Sequence, residues 1–75
     1  MNEENGKKYG VVVIYHNSEM RATERLELEG DSLSLVDAKR IVRRIYSQRD
    51  DGLVYLPEIN AVISTKNLLG VQVIE

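Results

Sequence analysis

Lys39, Arg40, Arg43 and Arg44 are the residues of this chain best placed to bind something. Their spacing of i, i+1, i+4 and i+5 gathers all four on one helical surface of about two turns. A guanidinium presents a planar fork of donors that matches a carboxylate or a phosphate in geometry. An acidic partner is therefore the ligand class this cluster could take. Long charged side chains also solvate the outer face of most surface helices, and that is the plainer reading of the same pattern.

Nucleic acid is the obvious acidic ligand, because neutralising phosphates supplies most non-specific affinity. A pI near 5.4 argues against it, since nucleic-acid modules are commonly basic. A single expected helix leaves no helix-turn-helix pair, and Tyr9 and Tyr15 alone do not make a base-stacking sheet. An acidic protein surface fits the cluster at least as well.

Catalysis needs convergent reactive groups, and here the inventory is thin. There is no cysteine, and His16 is the only histidine. No thiolate nucleophile and no pair of imidazoles is available to hold a metal or pass a proton. Ser18, Ser32, Ser34, Ser47 and Ser64 fall at expected turns, caps and polar positions, none in a nucleophile-elbow pattern. The glycines at 6, 10, 30, 52 and 70 are too widely separated to form a phosphate-cradling loop. Asp50-Asp51 and the group Glu24, Glu27 and Glu29 could bind a cation weakly but lack calcium-loop spacing. A helix end and a wet strand face explain these acids more simply. The expectation is a non-enzymatic protein with no catalytic residues, no cofactor and no metal.

These side chains need a scaffold, and 75 residues allow one domain near the lower size limit for independent folding. A chain this short buries roughly 60% of its unfolded surface, so one core must supply nearly all the stability. With 43% hydrophobic and 29% charged residues, the composition is globular and not that of a disordered chain. No apolar run approaches the roughly 20 residues that cross a bilayer. Residues 1–8 are polar and of mixed charge, without the apolar core of a signal peptide, and read as a flexible tail before a domain spanning 9–75. The lack of cysteine fits a reducing cytoplasm, and no membrane association is expected. The net charge of −2 hides an asymmetry: residues 1–31 carry −3 and residues 32–75 carry +1. The basic excess lies in Lys39, Arg40, Arg43, Arg44 and Arg49.

Tyr9–His16 is rich in β-branched and aromatic residues and reads as a strand that is apolar on both faces. Asn17-Ser18-Glu19 supplies turn chemistry. In Ala22–Glu29, Leu26 and Leu28 alternate with Arg25, Glu27 and Glu29, the mark of a half-buried strand antiparallel to the first. Gly30-Asp31-Ser32 is expected to break that strand. Ser34 is placed to cap a helix, with Asp37 three residues on, and Leu33 and Ala38 hold the staple positions. From Leu35 to about Arg49, the residues Leu35, Ala38, Ile41, Val42, Ile45 and Tyr46 fall on one stripe, with the basic cluster opposite. Asp50-Asp51-Gly52 ends the helix. Leu53–Leu56 reads as a short strand interrupted by Pro57, and Ile59–Thr65 and Leu69–Ile74 read as two more.

The fold class that follows is α+β: a small single domain in the order β-β-α-β-β-β, one amphipathic helix on a mainly antiparallel sheet. One helix covers only two or three strands on one face, because strands lie about 4.8 Å apart and a helix is about 10–12 Å across. The second face of the first strand, and one each of Val62/Ile63 and Val73/Ile74, must find cover elsewhere. Either the sheet curls on itself as a half-barrel, or that face binds a partner or a second copy.

The functional expectation is a protein–protein interaction module. It would be an adaptor or inhibitor of the accessory type carried by phages and mobile elements, binding an acidic protein surface or self-associating through the uncovered sheet face. One alternative is a nucleic-acid-binding domain that contacts phosphates through Lys39, Arg40, Arg43 and Arg44. Another is a structural subunit of an oligomeric assembly.

Overall fold

A computed structural model describes residues 7–75, with 29–32 described by their backbone path alone. Residues 1–6, most of the expected N-terminal tail, lie outside the described residues. The elements are β1 (Tyr9–Asn17), β2 (Ala22–Leu33), α1 (Leu35–Ser47), a single 3₁₀ turn (Arg49–Asp51), β3 (Leu53–Leu56), β4 (Ala61–Ser64) and β5 (Leu68–Ile74). The fold is α+β in the expected order, with one helix packed against antiparallel strands.

The strands do not join into one sheet. β1 lies between β2 and β5 in a three-stranded antiparallel sheet, while β3 and β4 form a separate hairpin. Helix α1 sits between the two, and one core gathers Val11 and Val13 of β1, Ile41 and Ile45 of α1, and Val54 and Leu56 of β3. The central position of β1 explains its two apolar faces. Val11 and Val13 face the core, while Val12, on the other face, is still only 2% exposed. Its cross-strand neighbours there are Glu27 and Gln72. A central strand is screened on both sides by its neighbours, so a second layer over Val12 is not required. Of the two expected covers, the half-barrel does not form: two small sheets close on one helix.

The β1–β2 turn follows from Asn17, whose Oδ1 accepts the Met20 N–H at 3.1 Å, and Arg21 completes it at φ 53°. Beyond Leu28 the structure departs from expectation. Gly30-Asp31-Ser32 do not end β2, which runs on to Leu33. Val11 faces Leu28 but Tyr9 faces Leu33, so the ladder slips across the intervening residues. A glycine within a strand marks a bulge as readily as an end.

Ser34 caps α1 as its sequence context predicts: its Oγ accepts the Asp37 N–H at 3.1 Å, and its carbonyl accepts the Ala38 N–H at 2.9 Å. The staple pair Leu33 and Ala38 are both buried in the core. Asp37 turns its carboxylate toward Arg40, 3.8 Å away across one helical turn. Ser34→Ala should lower unfolding free energy by about 1 kcal/mol in urea denaturation. The α-helix ends earlier than expected, at Ser47: the Gln48 N–H makes the last i→i−4 bond, to the Arg44 carbonyl, and the Asp51 N–H then bonds the Gln48 carbonyl three residues back, a tighter 3₁₀ turn. Gly52 closes that turn at φ 90°, a conformation an L side chain rarely adopts.

Pro57 ends β3 as expected, sitting second in the turn closed by the Ile59 N–H and the Leu56 carbonyl at 3.2 Å. Asn60 leaves the turn at φ 52°. β4 therefore starts at Ala61, two residues later than its apolar run suggests. One face of the hairpin, Val54, Leu56 and Ile63, is buried in the core; the other carries Leu53, Tyr55 and Val62 in the open.

Candidate functional site

Helix α1 sets the basic cluster on the side away from its buried residues Ala38, Ile41 and Ile45. Lys39, Arg40 and Arg43 are exposed, and Arg44 is half-buried. The four do not form a uniform surface. Arg44 reaches sideways, where its Nη1 donates to Glu58 Oε1 in the β3–β4 turn. The Glu58 side chain is only 10% exposed. Burial works against its ionisation, but the hydrogen bond from Arg44, a backbone hydrogen bond and the charges of Arg44 and Arg40 outweigh it. The net result holds its carboxyl below the usual glutamate range. Arg44 thus ties the hairpin to the helix.

Arg40 has Asp37 at 3.8 Å, an exposed pair worth little. Lys39 and Arg43 have no ion-pair partner among the described residues. Toward the C-terminal end of α1 a shallow groove is lined by Arg40, Arg43, Arg44, Ser47 and Gln48. Sequence spacing identifies its three arginines. Ser47 and Gln48 join them because they follow Arg44 by three and four residues, on the same helical face; the Ser47 hydroxyl donates to the Arg44 carbonyl at 3.1 Å, and Gln48 is the cap. Glu58 carries no local sequence signal, since it lies 14 residues from Arg44 and arrives only when the hairpin folds back. The groove offers several cationic and polar donors to an anion, one of them partly engaged by Glu58.

The remaining candidates separate. Glu24 pairs with Tyr15 and Glu27 with Val12, so they lie on opposite faces of β2. The side chain of Glu29 lies outside the described residues. Asp50 and Asp51 are exposed on the 3₁₀ turn. Among the described residues no three His, Asp or Glu side chains come together as a metal site would require. His16 lines a second shallow concavity with Tyr15, Glu19, Glu24 and Lys66, of mixed charge. Tyr15 donates to the Ser64 carbonyl at 2.6 Å, and burial raises its hydroxyl pKa. Its role there is to tie β1 to the end of the hairpin. The exposed hairpin face, with Tyr55 paired to Val62 and Leu53 64% exposed, is apolar and carries no group that selects an occupant.

No family model, no curated protein and no solved structure matches this chain. No helix is long and apolar enough to cross a membrane among the described residues.

Proposed function

We propose that this chain is a non-enzymatic protein-binding module of the cytoplasm that receives an acidic surface of another protein in the groove on α1. The observation that carries the reading is that groove: Arg40 and Arg43 stand exposed on a rigid, capped helix, with Ser47 and Gln48 beside them as further donors. Forked donors fixed on a helix bind carboxylates with less loss of freedom than the same residues on a loop. The chain is acidic as a whole, so this face is a local exception to its net charge of −2. That contrast favours an acidic protein, met in one orientation, over a long polyanion that would run onto acidic surface.

Titration of the isotope-labelled chain with a short glutamate-rich peptide, followed by amide NMR shifts, tests this reading. Shifts confined to residues 39–48 and fading with added salt are expected. Equal shifts across the molecule, or none at 39–48, would count against it. Duplex DNA in a parallel titration tests the phosphate-binding alternative, which gains if DNA moves those amides and the acidic peptide does not. The variant Lys39→Glu/Arg40→Glu/Arg43→Glu should fold normally, with unfolding free energy within about 1 kcal/mol of wild type, because these side chains are exposed.

A further inference from the structure

The three-stranded sheet has two edges, and among the described residues only one of them is covered. At the β5 edge the Val71 N–H donates to the Tyr46 hydroxyl at 3.2 Å, and the Leu68 carbonyl accepts from Arg49 Nη2 at 3.3 Å. Side chains from the end of α1 and from the 3₁₀ turn after it thus satisfy backbone groups that a neighbouring strand would otherwise seek. β2 forms the other edge. Among the described residues, nothing outside the β1–β2 ladder bonds the backbone of Ala22–Leu28.

Antiparallel neighbours alternate between hydrogen-bonded and non-hydrogen-bonded pairs. Val71 turns its N–H outward to Tyr46, so its pair with Val13 is the non-bonded kind, and Val13 directs its own groups to Leu26 on β2. The His16 N–H, bonded toward the β5 side at the Asn67 carbonyl (2.9 Å), has the phase this requires. Leu26 therefore bonds inward to β1, while Arg25 and Glu27 point their backbone groups out of the sheet.

We infer that this edge pairs with β2 of a second copy of the chain, antiparallel, with Leu26 on the two-fold axis. In that register Arg25 of each copy faces Glu27 of the other, and the two pairs carry about four main-chain hydrogen bonds. Arg25 and Glu27 are exposed side chains on the sheet face opposite α1, so each pair sets opposite charges directly across the strands. Leu26, 49% exposed in the single chain, meets its copy at the close spacing of a non-hydrogen-bonded pair. Moving the axis by one residue places Arg25 against Arg25 or Glu27 against Glu27, so the charges select one register. The product is a six-stranded sheet with both helices on the same face. The edge lies apart from the α1 groove, and the inference does not depend on what that groove binds.

Sedimentation of the full chain over a wide concentration range tests the inference. Wild type is expected to dimerise, and Arg25→Glu and Glu27→Arg should each weaken the dimer about tenfold by setting like charges opposite each other twice. The double variant Arg25→Glu/Glu27→Arg reverses both pairs and should restore wild-type association. Circular dichroism of each variant separates loss of pairing from loss of fold. A wild-type chain that stays monomeric throughout overturns the inference. So does a dimer indifferent to the single changes, or a double variant no tighter than the singles.

Discussion

Ile41→Ala is expected to lower the unfolding free energy by about 3 kcal/mol, within the roughly 2–5 kcal/mol seen for buried isoleucine truncations. Ile41 is fully buried in the middle of α1, in the cluster that joins the three-stranded sheet to the hairpin. A domain of this kind holds only roughly 0.05–0.15 kcal/mol of stability per residue, so the loss is a large fraction of the total. Urea unfolding followed by far-UV circular dichroism measures it. Val36→Ala on the same helix, where the side chain is 47% exposed, should change stability by no more than about 0.5 kcal/mol. Similar losses for the two variants would mean that α1 does not bury the face assigned to it.

The second large effect is at the tie between helix and hairpin. Arg44→Ala should cost about 1–3 kcal/mol, because it leaves the nearly buried Glu58 carboxylate without its cation. The effect has a definite pH dependence. The folded-state pKa of Glu58 lies below the unfolded one, so its contribution is complete above the unfolded value and is lost as pH falls through the folded value. The gap between wild type and Arg44→Ala should therefore be widest near neutrality and close as the solution is acidified below the glutamate range. Stability curves for the two proteins against pH measure that gap. The double variant Arg44→Ala/Glu58→Ala should recover part of the loss, since no buried charge then remains.

Much of α1 is legible in the sequence because its determinants are local. The 3.6-residue stripe through Ala38, Ile41 and Ile45, the Ser34 cap and the Leu33–Ala38 staple all lie within one stretch of chain and act within it. Strand positions are legible for the same reason, and β3 falls where its residues place it. What is not legible depends on which strand neighbours which. The apolar excess of the strands suggests a single sheet with one bare face. The chain instead forms two sheets, so Val12 is buried by its place on a central strand and the exposed apolar face is that of the hairpin, Leu53, Tyr55 and Val62. The same gap hides the division of the basic cluster. Spacing puts Arg43 and Arg44 side by side, but only the returning hairpin brings Glu58 to one and not the other. Gly30 illustrates a third kind of miss, because residue type alone does not distinguish a bulge from a strand end.

This division gives α1 two separable roles. Its buried stripe and Arg44 hold the fold together, whereas Lys39, Arg40 and Arg43 stay out of the core and are the residues proposed for contact with a partner. Affinity capture from native lysate, comparing wild type with Lys39→Glu/Arg40→Glu/Arg43→Glu and leaving Arg44 in place, tests that claim most directly. Wild type is expected to retain a specific protein with an acidic surface, and the equally folded variant to lose it. Recovery of the same proteins by both would remove α1 as the binding face.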